Sequence, residues 1–222
     1  MPAPLRLLSL EAGGERISAA LFEEGACVAQ AFEAAKQRQT EQMAPLVHGL
    51  LQKAGVSADS LGAIAAGRGP GSFTGLRSSL ALGQGMALAN KARLIGVDTL
   101  EAWAQTAVPE VRVAVALDGR RGQAYFGRFE KKGQAWSAHE ASRLMDLAEA
   151  WELAEGWPLL SDLEVPQKTL ALPEGAALAV AVGQLAWTRW QGQAGPALDW
   201  EPLYLRRAEV EILWEKLHPR AQ

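Results

Sequence analysis

The chain has 222 residues, 49% apolar and 21% charged, with a formal net charge of −3 and a single cysteine. That balance suits a folded core in one large or two modest domains, excludes an intrachain disulfide, and argues against strong nucleic-acid binding by this chain unaided. The lone Cys27 reads as a small buried hydrophobe in a reducing compartment; no apolar run reaches the ~18 residues of a membrane helix and no signal peptide is legible, so the expected location is cytoplasmic.

Leu5–Leu10 is a short apolar run ending at Glu11, followed by a glycine turn and a returning strand, Ile17–Phe22. Gly25 marks another turn, and Ala26–Phe32 continues as a third strand. The period then changes: Met43, Leu46, Val47, Leu50, Leu51 and Ala54 make one helical stripe over 43–54, closed by Gly55, with Pro45 placed near the helix start or bending it. A strand over Leu61–Ala66, a loop over Gly67–Gly75, a helix over Leu76–Lys91, a strand over Arg93–Val97 and a short helix over Thr99–Thr106 complete the first half. The second half opens at Val111 with the same plan: an apolar strand ending in a carboxylate (Asp118), a turn with Arg120 and Arg121, and a returning strand. Glu11 and Asp118 lie close to half a chain length apart, which points to an internal duplication. Seven of the eight tryptophans follow residue 111 and read as core and surface cover. Ala176–Trp190 reads as a helix, and Glu201–Arg206 as a terminal extended segment.

GRGPGSFTGLR, from Gly67 to Arg77, carries the most information. Glycines between a strand and a helix allow sharp turns, and helix N-terminal amides can receive an anion. The Walker pattern fails for want of Gly-Lys. The dinucleotide pattern is one residue too long, although Asp98 ends the next strand at a position suited to a ribose. Within the following helix, Ser79, Gly83 and Ala87 recur at a spacing of four, as do Ala81, Gly85 and Ala89; such small residues admit a neighbour closely, either the chain's own sheet or a docking partner. His48, His139 and His218 form no metal-ligand pair, and no serine elbow or activated cysteine is present, so no catalytic constellation assembles.

The loop Gly67–Arg77 resembles the one that marks the TsaB, or YeaZ, family of bacterial tRNA threonylcarbamoyladenosine synthesis proteins. The resemblance extends through the first hairpin, the Leu46–Ala54 helix, Ile95-Gly96-Val97, the Asp118–Tyr125 segment and Glu201–Arg206. It implies an α/β fold of two tandem ribonuclease-H-like lobes, as in actin-like ATPases, with mixed sheets flanked by helices and lobes at 1–108 and 109–222. It also implies a non-catalytic subunit that pairs with the catalytic TsaD to support threonylcarbamoyl transfer to a tRNA adenosine. The ATPase TsaE and the tRNA would be reached through that complex, the chain alone could form a homodimer, and no cofactor or metal would be its own. By match, the docking residues are Met43, Leu46, Val47, Leu50 and Leu51 with Ser79, Gly83, Met86 and Ala87, and the loop candidates for a ligand are Gly69, Gly71, Ser72, Phe73, Thr74, Gly75 and Arg77. Glu11-Ala12 and Gln39 depart from the family's usual Asp-Thr or Asp-Ser and His. The alternatives are a nucleotide-binding or hydrolysing enzyme and an M22-type peptidase-like protein.

Overall fold

β1 (Arg6–Glu11) runs through the centre of the first of two sheets and is buried from Leu7 to Glu11, with Leu7, Leu8 and Leu10 supplying its apolar side chains, as a strand covered on both faces requires. The computed structural model describes residues 4–35, 38–133, 135–165, 168–175, 177–193 and 195–206. β2 (Arg16–Glu23) returns antiparallel to β1, and β3 (Ala26–Ala34) pairs with β2 at the sheet edge. Helix α1 (Gln39–Ala54) leads to β4 (Ala63–Gly67), parallel to β1; helix α2 (Phe73–Asn90) leads to β5 (Arg93–Val97), parallel to β4. The sheet order is β3-β2-β1-β4-β5.

After helix α3 (Thr99–Gln105), the second half repeats this plan. β6 (Arg112–Arg120) and β7 (Gln123–Lys132) form the matching hairpin. β8 (Ala135–Ala138) and β9 (Arg143–Asp146) pair with successive stretches of β7, helix α4 (Leu147–Ala154) crosses over, and β10 (Leu159–Ser161) lies parallel to β6, with β11 (Thr169–Leu170) beyond it. The order β8-β7-β6-β10-β11 is the first sheet's order again. The duplication legible in the two hairpins therefore extends to whole sheets.

Helices separate and flank the sheets. α1 and α2 cover one face of the first sheet through Leu8, Leu10, Ile17, Leu21 and Ile64. The other face receives helix α5 (Ala177–Trp190), and α3 packs between α5 and the second sheet, so Leu7, Phe22 and Ile95 share one core with Val113, Phe129 and Val182. Ser9 Oγ donates to the Ala179 carbonyl at 2.7 Å, pinning α5 to β1. Ser142, from the second half, donates to Asp98 Oδ2 at 2.7 Å. Each sheet lies within its own half of the sequence, but the chain crosses back: α5 and residues 198–203 pack on the first sheet.

Three local readings change. α1 begins at Gln39 and contains Pro45, which removes one helix donor; the polar first turn hid this start from the apolar stripe. α2 begins at Phe73, three residues earlier than its apolar pattern. Cys27 is exposed, not buried, because β3 is an edge strand with one face to solvent. The helix expected from Ala176 is described from Ala177, and His218 and the last part of the 109–222 lobe lie outside the described residues.

Candidate functional site

The loop after β4 is shaped by what lies beneath it. Ser72 caps α2, its Oγ accepting from the Gly75 amide at 3.3 Å. The Ser72 amide donates to the Gly13 carbonyl at 2.7 Å, and the Gly69 amide to Thr99 Oγ1 at 3.2 Å. These bonds draw the loop onto the β1–β2 turn. A Cβ on Gly75 would overlap the Ala12 carbonyl oxygen, and one on Gly71 would lie 2.6 Å from the Gly13 oxygen. The glycines thus serve self-packing. Gly75→Ala should destabilise the fold by about 2 kcal/mol or more, because the blocking atom is backbone; an unchanged urea midpoint would show the loop free to lift from the turn.

Glu11 fills the space under this loop. Its Oε1 accepts from the Gly13 amide at 2.6 Å, and Thr99 Oγ1 donates to its Oε2 at 3.5 Å. A Cβ on Gly67 would overlap this carboxylate. Burial raises the Glu11 pKa to about 7, against the opposing pull of the Gly13, Ala12 and Thr99 hydrogen bonds. The loop offers no ready phosphate cradle at these positions: the Gly13, Gly69, Ser72 and Gly75 amides are engaged by the protein, and the Glu11 carboxylate is buried beneath them. Among the described residues, no three His, Cys, Asp or Glu side chains come together as a metal site. The loop candidates divide: Gly69, Gly71, Ser72 and Gly75 close the loop, whereas Phe73, Thr74 and Arg77 face solvent.

The proposed docking side chains require correction. Met43, Leu46, Val47, Leu50 and Leu51 are buried against the first sheet, as are Ser79, Gly83 and Ala87; Met86 is half-buried. The apolar stripe faces the core because the sheet's own Leu8, Leu10 and Ile64 await it there. Trp200 decides the orientation of α2: its ring lies 2.8 Å from where a Gly83 Cβ would stand, while a Cβ on Gly85 would meet nothing. The second stripe, Ala81, Gly85 and Ala89, is therefore the outward one, joined by Leu88 at 85% exposure. α1 presents Ala44, Pro45 and His48 to solvent beside it. The two helices run side by side in one direction, tied by Thr40 Oγ1 and Ser78 Oγ at 2.7 Å, and Asn90 Nδ2 at the end of α2 donates to the Ala58 carbonyl in the turn after α1 at 2.6 Å.

Sequence reading gave Glu201–Arg206 as an extended segment but not its path as a strap, with residues 198–200, across the first sheet. The Leu198 amide donates to Leu94 at 2.9 Å, the Gly96 amide to Leu198 at 2.7 Å, and the Leu203 amide to Arg68 at 2.7 Å. Arg206 then reaches the Gly119 carbonyl and, at 3.1 Å, Gln123 Oε1 in the second half. A groove of about 380 Å³ runs between the strap at Trp200 and Pro202 and α2 at Arg77, Leu80 and Gln84. Only the Trp and the extended character of Glu201–Arg206 signalled this element in advance.

Two sheets of one topology and a glycine loop closed over an internal carboxylate define a two-lobed α/β protein of the actin-like, ribonuclease-H-like class. A family model described as TsaD, tRNA N6-adenosine threonylcarbamoyltransferase, matches residues 32–175. The tRNA threonylcarbamoyladenosine biosynthesis protein TsaB of Escherichia coli (strain K12) is 31% identical over 232 residues, covering 96% of this chain and 98% of that one. TsaB of Haemophilus influenzae is 28% identical, covering 97% and 98%. The crystal structure of YeaZ from Pseudomonas aeruginosa aligns with a TM-score of 0.73 at 28% identity, covering 90% of this chain and all of that one. The chain belongs to the TsaB, or YeaZ, family. No helix among the described residues is long and apolar enough to cross a membrane.

Proposed function

We propose that this protein is a non-catalytic subunit of tRNA threonylcarbamoyladenosine synthesis that pairs with a TsaD-type transferase through the outward faces of α1 and α2. The observation that carries the reading is the small-residue face of Ala81, Gly85 and Ala89 with the exposed Leu88, next to Ala44 and His48. Close-packing helices favour such surfaces, and Gly85, which meets nothing in the free protein, otherwise costs its helix roughly 1 kcal/mol relative to alanine. Glu11 beneath the glycine loop supports a supporting rather than a catalytic role. The work of group transfer then falls to the partner, with a TsaE-type ATPase and the cytoplasmic tRNA pool engaged through the complex.

Light scattering on a sizing column tests this. Mixed with the TsaD-type protein of its own organism, the chain should elute at the mass of a one-to-one pair, at the expense of any homodimer. Two unmixed peaks at micromolar concentration, with both proteins folded, would overturn the reading.

A further inference from the structure

We infer that Phe73, Arg77 and Tyr204 form a contact for unpaired RNA nucleotides, so that this subunit touches the tRNA directly; the inference rests on the assignment to tRNA modification above. Phe73 opens α2 and is 57% exposed; Tyr204 lies in the strap and is 48% exposed. Their ring centroids are 5.5 Å apart at an interplanar angle of 31°. Arg77, one turn further along α2, sits 4.7 Å from the Phe73 centroid. Arg77 is exposed, with its guanidinium over the Phe73 ring and, among the described residues, in no ion pair.

Two exposed rings beside a guanidinium match the chemistry of a single strand: aromatic surface on which a base can stack and a cation for the phosphate, with Glu201 lining the same groove as Arg77. The assignment to tRNA modification above, rather than the polar neighbours Gly71, Ser72 and Thr74, selects RNA as the occupant. The docking face continues the stripe of Arg77 through Ala81, Gly85 and Ala89, away from Phe73, so the rings stand at its N-terminal end. A partner seated there would leave the rings open at its border. Two residues past Tyr204, Arg206 anchors the strap to the β6–β7 turn, fixing the second ring in place before any nucleotide arrives. The net charge of −3 makes the contact weak alone and effective once a partner brings the RNA close.

The test measures fluorescently labelled tRNA binding to the assembled pair by anisotropy, with light scattering reporting pairing. In the Phe73→Ala/Tyr204→Ala double variant, RNA affinity should fall at least about tenfold while pairing is unchanged. Arg77→Gln should reduce the slope of log affinity against log salt by about one. An intact pair whose double variant binds RNA within about twofold of the wild type overturns the inference. Loss of pairing in the double variant also overturns it, assigning the rings to protein contact. If the wild-type chain does not pair at all, the functional reading fails separately; the same RNA titrated against this chain alone at low salt then decides, a weaker double variant upholding the contact and equal affinities refuting it.

Discussion

Glu11→Gln is expected to stabilise the protein at alkaline pH by up to about 3 kcal/mol and to flatten its stability profile. The folded pKa of about 7 lies above the ordinary 4.5, so the folded state holds the proton more tightly than the unfolded chain. That stabilisation is complete below about pH 4.5, erodes as pH rises, and is gone once pH has passed through about 7. Glutamine keeps the acceptor for the Gly13 amide and cannot ionise. Burial also raises the pKa values of Asp98, Glu101 and Asp162, so the whole protein drifts in the same sense; the difference between wild type and variant isolates Glu11. Urea unfolding from pH 5 to 8 should give curves that diverge with pH. Parallel curves would mean that Glu11 is ionised throughout in the folded state.

The second large effect separates docking from folding. Gly85→Glu should leave the melting temperature unchanged, because a side chain there meets nothing in the free protein, and should weaken pairing with the TsaD-type partner at least about a hundredfold, since an unpaired carboxylate would be buried on association. Leu88→Glu should behave likewise. Leu50→Glu and Gly83→Glu should instead unfold the first lobe, one placing a charge in its core and the other driving a side chain into Trp200. Wild-type pairing by folded Gly85→Glu, read by the same light-scattering experiment, would move the interface off α2.

These contrasts also show what was legible. The hairpins of each half were legible from turns and apolar runs, because β1, β2 and β3 are neighbours both in sequence and in the sheet; the sheet order was not, since β4 and β10 cross back beside β1 and β6. The duplication was legible because Glu11 and Asp118 stand at or near the ends of like strands in like hairpins. The direction of α2 was not. Its two small-residue stripes are equivalent as sequence, and the choice between them falls to Trp200, which arrives from far along the chain. The apolar stripe of α1 was correctly placed on one face, yet amphipathicity alone does not say whether a sheet or a partner covers it. The Phe73–Tyr204 pair has the same origin: two remote residues brought together by a strap with no repetitive pattern of its own.

The return of α5 and the strap sets an order of events during synthesis. Leu7, Ala20 and Phe22 emerge early, but the helix that covers them begins only at Ala177, and the Leu203–Arg68 bond closes later still. One face of the first sheet must therefore wait, bare, while the whole second sheet is translated. The long loop-closure cost falls on the last contacts made, and the nascent chain is at its most adhesive in the interval between them. The two halves share a plan, but neither can finish folding without the other's polypeptide.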